Sequence, residues 1–248
     1  LLSAASIESI YSYRSGEQNR KLQSMHKMAN ALNRFSDLFQ RHWLAIIVGF
    51  LIVYSSLPIF AAFFKSIGAE SAAQVIYQPY KAMCHTYGFR SFYLFGEQLV
   101  YDRDEFEQKT GIDTSTPNGL FAARDYQGDA RVGYKIGLCQ RDMSIYPAIA
   151  INGMIYSFAR RRVKQLSWLA FILIGVLPIG LDGFSQLLSQ PPFNFIPPFS
   201  WLSYRESVWW MRVLTGALFG TSVAWLVFPM IEASIDSSRR YENAKQQF

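Results

Sequence analysis

The sequence predicts an all-α integral membrane protein with four transmembrane helices, an extracytoplasmic cap and an N-terminal amphipathic helix. Three observations predict it. Half of the 248 residues are hydrophobic, with 20 Phe, 14 Tyr and 6 Trp among them. Four runs, 43–64, 143–159, 166–189 and 208–231, carry at most one charge each. They match or approach the roughly 20 apolar residues a helix needs to cross about 30 Å of hydrocarbon. The basic residues behind the net charge of +6 stand beside these runs. They form no patch with a nucleic-acid-binding motif, so the lipid bilayer is the expected partner and nucleic acid is not. A soluble bundle with buried core helices is the competing reading, and four nearly uncharged runs of this length argue against it. Two cysteines exclude a multi-bridge secreted scaffold.

Taken in order, residues 1–42 are expected to be a cytoplasmic N-terminal segment. Over 24–40, Met25, Met28, Leu32, Phe35 and Phe39 recur at helical spacing with basic residues on other faces. That pattern predicts a helix lying on the inner membrane surface. About 40 mostly polar residues ahead of the first apolar run are too many for a signal-peptide n-region. The first span, 43–64, contains no charge. The stretch 65–142 is expected outside as a cap. In it, Ala72, Val75, Ile76, Tyr80 and Met83 share one helical side that would lie in the interface. "TPNG" at 116–119 reads as a turn. The second span, 143–159, includes Asn152, an expected interhelical hydrogen-bond donor. The connection 160–165 carries "RRRVK" and is the most basic short loop, which makes it cytoplasmic. The third span, 166–189, holds Asp182. The aromatic, proline-rich connection 190–207 returns outside. The fourth span, 208–231, holds Arg212 and a Gly216–Gly220 pair suited to close helix packing. The tail, 232–248, is cytoplasmic with the N-terminus. The expected location is a bacterial plasma (inner) membrane.

Two groups of residues carry candidate chemistry. The first joins Cys84 and His85, adjacent in the cap, to Cys139 and Asp142 at the start of the second span. A Cys84–Cys139 disulfide, a zinc site made of Cys84, His85, Cys139 and Asp142, and unpaired buried thiols all remain open. The second group is polar and sits near the outer leaflet. Asp182 lies about 24 Å above Leu166 and Arg212 about 6 Å inside its span, so the two reach similar depths on antiparallel helices and are expected to pair. Gln186 is one turn beyond Asp182.

Read in order, "CHTYGFRSFYLFGEQ", "CQRDMSIY", "LPIGLDGFSQLL" and "RVLTGALFGT" resemble an uncharacterised bacterial and archaeal family of small predicted membrane proteins, the domain of unknown function 2085 type. The resemblance runs over about 57–228 by motif order. It implies that Cys84, His85, Arg90, Cys139, Asp182, Gln186, Arg212 and Thr215 occupy motif positions. This chain has Asp142 where the family's second Cys of a Cys-x-x-Cys would stand. The resemblance implies no activity.

No nucleophile motif and no complete catalytic set are present, so a non-enzymatic role is favoured. It would be an accessory subunit of a larger membrane assembly or an outer-interface binding protein, in contact with other membrane subunits or a second copy of itself. The alternative is an enzyme or transporter acting on a lipid or small polar ligand held by His85, Arg90, Asp182, Gln186, Arg212 and Thr215.

Overall fold

The computed structural model describes residues 4–84, 86–159, 162–190, 193, 196 and 199–245. His85, Arg160 and Arg161 lie outside the described residues. The chain divides into two units, residues 1–46 and 47–248. The first is helical from Ala4, within α1 (Ala4–Ser66). Its Met25, Met28, Leu32, Phe35 and Phe39 are all exposed.

The second unit continues through α2 (Glu70–Met83), β1 (Ser91–Leu94), α3 (Arg103–Thr110), α4 (Pro117–Asp125), β2 (Gly128–Asp129) and β3 (Gly133–Cys139). Three long helical segments follow: α5 (Asp142–Ala159), α6 (Trp168–Leu188) and α7 (Trp209–Lys245). A π-helical stretch, Phe171–Val176, lies inside α6.

Among the described residues, three helices are long and apolar enough to cross a membrane: Gln23–Ser66, Trp168–Leu188 and Trp209–Tyr241. The expected second span forms α5 but is not one of them. With Asp142 at its start and Asn152 in its middle, it is short and comparatively polar. Asn152 is tied to α7: its Nδ2 donates to Thr221 Oγ1 at 3.0 Å, and Trp225 Nε1 donates to its Oδ1 at 2.6 Å. Small residues set the helix spacing. A Cβ on Gly220 would sit 2.4 Å from the Ile145 carbonyl oxygen, and one on Gly216 would sit 2.1 Å from Ser144 Oγ. The Gly216–Gly220 face therefore lets α7 approach the first turns of α5.

The connection between α1 and α5 corrects the all-α reading. It contains a three-stranded antiparallel sheet in the order β1-β3-β2. β1 pairs with β3 through Tyr93 opposite Lys135 and Leu94 opposite Tyr134. Along β1, Ser91 and Tyr93 are buried while Phe92 and Leu94 are half-buried, the period of two expected of a strand. Phe89, Tyr93, Tyr101, Phe106, Ala123 and Val132 form its core. The "TPNG" turn is instead a helix start. Thr116 accepts a hydrogen bond from Gly119 N–H and Pro117 opens α4, where its missing N–H costs no intrahelical bond. α3 begins with a capping box between Asp102 and Glu105.

α2 packs one face inward and leaves the other open. Ala73, Tyr77 and Tyr80 are buried while Val75 and Met83 are exposed. The tyrosines decide this, because each hydroxyl finds a backbone acceptor. Tyr77 donates to the Lys135 carbonyl and Tyr80 to the Tyr54 carbonyl, both at 2.5 Å.

Candidate functional site

The polar residues converge where four pieces of chain meet. They are the turn before β1, which carries Arg90, and the β3–α5 junction, with Gln140 and Arg141. The end of α6 adds Asp182 and Gln186, and the segment running into α7 adds residues 204–207 and Arg212.

Glu206 is one centre. Arg90 grips it with two hydrogen bonds, Nε to Oε1 at 2.7 Å and Nη2 to Oε2 at 2.8 Å. Arg212 pairs with the same Oε1 through Nη2. Gln186 Nε2 donates to Oε1 at 2.7 Å and Gln190 Nε2 to Oε2 at 3.1 Å. The other Arg212 terminal nitrogen, Nη1, donates to Gln140 Oε1 at 3.0 Å.

Asp182 is the second centre, with a side chain only 1% exposed. It takes Arg141 Nη2 at 2.5 Å and Arg205 Nη2 at 2.9 Å, and Ser207 Oγ lies 2.7 and 2.8 Å from its two oxygens. The expected Asp182–Arg212 pair is therefore not formed. Both residues lie in the cluster, but counter-charges from outside the spans satisfy each of them. Arg205 and Glu206 lie within four residues of the start of α7, and Arg141 immediately precedes α5.

Arginines outnumber carboxylates in this cluster. Arg90, Arg141, Arg205 and Arg212 face Asp182 and Glu206. Three of the four, Arg90, Arg141 and Arg212, line a cavity of about 210 Å³ together with Cys84, Cys139, Asp142 and Gln186. The buried Nε of Arg141 has no hydrogen-bond partner among the described residues. A larger cavity of about 730 Å³ lies between α3 and the start of α7 and shares Arg212; Glu206, Trp209 and Trp210 also line it.

Cys84 follows α2, Cys139 ends β3 and Asp142 begins α5. Their ligating atoms all lie within 4.8 Å of one another. Both cysteines are free thiols, so of the three alternatives the disulfide is not formed in this structure. The hydrogen bond between the thiols lowers Cys84 from its usual range and raises Cys139, which burial raises further. Cys84 is thus the first of the two to ionise.

Behind the thiols, Lys135 is 2% exposed. Its Nζ donates to the Thr86 carbonyl at 2.9 Å and to the Arg124 carbonyl at 2.7 Å. Burial brings it down to about 7. Thr86 sits at φ 40°, a strained conformation for a β-branched residue, with its carbonyl held by that ammonium.

Of the residues expected at the site, Arg90, Asp182, Gln186 and Arg212 meet in the cluster, and Cys84, Cys139 and Asp142 meet beside it. Thr215 is buried, but its hydroxyl donates back to the Met211 carbonyl at 2.7 Å and takes no part. His85 lies outside the described residues. Glu206, Arg205, Arg141, Gln140 and Ser207 were not expected. For Arg205, Glu206 and Ser207 the signal was "SYRESVWWMR", a carboxylate between two arginines at the start of an apolar run; Gln140 and Arg141 stand in "CQRD", ahead of the second run.

Residues 131–226 match the model of a family described as "Predicted membrane protein (DUF2085)". This bears out the family resemblance carried by the motifs. The chain is also similar to an uncharacterized protein of Methanocaldococcus jannaschii, 22% identical over 203 residues that cover 77% of this chain and 93% of that protein. No solved structure matches. The family description and the apolar helices together point to a membrane location, in contact with the lipid bilayer.

Proposed function

We propose, for a chain that carries the signature of this predicted-membrane-protein family, that it binds an anionic group of the phosphate type in the arginine-lined cavity at the outer membrane interface. The observation that carries this reading is the Arg141 side chain. It lines the cavity, its buried Nε has no hydrogen-bond partner among the described residues, and it sits in a cluster where four arginines face two carboxylates. A buried donor without a partner is costly, and an oxyanion is the group that satisfies arginine donors best. The chemistry fits a free phosphate or a lipid headgroup equally.

The topology in this reading has four spans, with α5 as the second. In its favour, Ile151, Met154, Ile155 and Phe158 form an exposed apolar face on α5, and Phe158 is 89% exposed. Its 18 residues rise about 27 Å, close to the hydrocarbon thickness. Both termini and the basic connection 160–165 are then cytoplasmic in the plasma membrane, and the cluster faces out. The exposed apolar surfaces also suit an accessory subunit, but lipid accounts for them without a partner chain.

The test is binding by the full chain in lipid nanodiscs. Inorganic phosphate is titrated by calorimetry, and phosphatidylglycerol is compared with phosphatidylcholine by native mass spectrometry. One of the two anions is expected to bind, and Arg141→Gln should weaken it roughly ten- to hundred-fold, the worth of hydrogen bonds to a charged group. Phosphate binding alone identifies a soluble ligand, and selective retention of phosphatidylglycerol identifies a lipid. Wild-type protein that binds neither anion would overturn the reading.

A further inference from the structure

We propose that Cys84, Cys139 and Asp142 hold a zinc-class divalent cation in the wall of the arginine-lined cavity. The three residues come from separate elements, yet their ligating atoms converge within 4.8 Å. A tetrahedral zinc ion, with bonds of about 2.3 Å to sulfur and 2.1 Å to oxygen, places its ligand atoms about 3.6–3.8 Å apart. Small rotations of side chains already in place reach that arrangement. The Cys139–Asp142 turn is also shaped for it. The Asp142 backbone N–H donates to Cys139 Sγ at 3.5 Å, a bond that strengthens as the sulfur becomes a thiolate.

Donor chemistry selects the ion. Two thiolates and one carboxylate favour zinc or a similar borderline-soft metal over magnesium or calcium, which take oxygen ligands. The surrounding arginines do not oppose it. A dication that replaces two thiol protons leaves the net charge of the site unchanged. It also leaves both thiolates metal-bound rather than free to oxidise. Three protein ligands among the described residues leave a coordination position for a further ligand, and Cys84, Cys139 and Asp142 line the same cavity as Arg90, Arg141 and Arg212. The ligand class for that position is an oxyanion, held by metal on one side and guanidinium on the other. This last step rests on the anion-binding reading; the metal site does not.

The experiment uses the full chain in detergent, purified without chelators, for elemental analysis and then, after stripping and reduction, for cobalt titration. Zinc is expected at close to one ion per chain. Cobalt should give the near-ultraviolet thiolate charge-transfer band. Cys84→Ser should abolish the band, and Asp142→Asn should weaken cobalt binding more than about tenfold. Added zinc should also protect both cysteines of reduced wild-type protein from alkylation, a readout that needs no variant. If reduced wild-type protein gives no charge-transfer band and zinc protects neither thiol, the proposal fails, whether or not a Cys84–Cys139 disulfide is then found. A cobalt band with no phosphate or phosphatidylglycerol binding would keep the metal site and remove the anion reading alone.

Discussion

Arg90 clasps Glu206 through two hydrogen bonds of 2.7 and 2.8 Å, joining residues 116 positions apart. The bond ties the turn before β1 to the segment that enters α7. Arg212, only 4% exposed at its side chain, depends on the same carboxylate. Glu206 is therefore the counter-charge for two arginines, and its loss strands both.

Glu206→Gln is expected to destabilise the folded protein by about 3 kcal/mol, because a charge left buried without its partner costs more than the pair contributes. Glu206→Leu combined with Arg212→Leu should be milder than Glu206→Leu alone. Arg90→Lys should recover only part of the native stability, since an ammonium cannot make the paired contact. Thermal unfolding in detergent, followed by circular dichroism, measures all three. Equal stability of Glu206→Gln and wild type would refute the argument.

The helix interface gives a sharper contrast. A Cβ on Gly220 would lie 2.4 Å from the backbone oxygen of Ile145, whereas one on Gly180 would meet nothing within 4 Å. Gly220→Ala should therefore cost about 1–3 kcal/mol by overpacking. Gly180→Ala should cost nothing. The same melting experiment compares them, and equal effects would mean that the α5–α7 contact is looser than described.

Much of the fold was legible because its signals are long and local. The apolar runs of α1, α6 and α7 needed only length and charge content, and the Gly216–Gly220 spacing already pointed to close packing. The sheet was less legible. β1 is four residues long and β2 two, so a period of two hardly has room to show. The site was half legible. Asp182 and Arg212 stood out because a charge inside an apolar run is rare. Glu206, Arg205 and Arg141 stand just outside the runs, where charges are ordinary, and only the fold brings them together. Pairing by depth alone joined two residues that each had a nearer partner.

Topology is testable without the site. Single-cysteine probes at Asn118 and Ser200 should react with a membrane-impermeant reagent in intact cells, while probes at Lys164 and Gln247 should react only after permeabilisation. The measurement is gel-shift labelling in a background lacking the native cysteines. If α5 did not cross the membrane, the probes at Lys164 and Asn118 would report the same side.

Lys135 carries a pH dependence whose sign is fixed by burial. Its folded value of about 7 lies below the ordinary 10.5 of lysine. The unfolded chain therefore binds more protons between those values, and stability rises with pH across that window. Below about 7 the ammonium is charged in both states, and the cost of burying it is fully present. The connection between α1 and α5 should gain about 1 kcal/mol per pH unit as pH rises from about 7 toward 10. Lys135→Met should remove that slope. Hydrogen exchange of β3 amides at matched intrinsic rates measures it, and an unchanged slope in the variant would assign the effect to another group.

The two charge centres can be told apart by their energetic coupling. Asp182 contacts Arg141 and Arg205 directly, and Arg212 contacts Glu206. Residues in one hydrogen-bond network couple by about 0.5–3 kcal/mol in double-mutant cycles, while separated ones add to within about 0.3–0.5 kcal/mol. A cycle between Asp182→Asn and Arg205→Gln should therefore show coupling at the upper part of that range, since the Asp182 side chain is almost wholly buried. A cycle between Asp182→Asn and Arg212→Gln should show clearly less. The two centres are not fully independent, because Ser207 on Asp182 is the next residue after Glu206, so some coupling is expected to leak along the backbone. Chemical unfolding in mixed micelles yields both cycles from five variants and the wild type. Stronger coupling between Asp182 and Arg212 than between Asp182 and Arg205 would restore the direct pairing of the two charges within the apolar helices and discard the two-centre description.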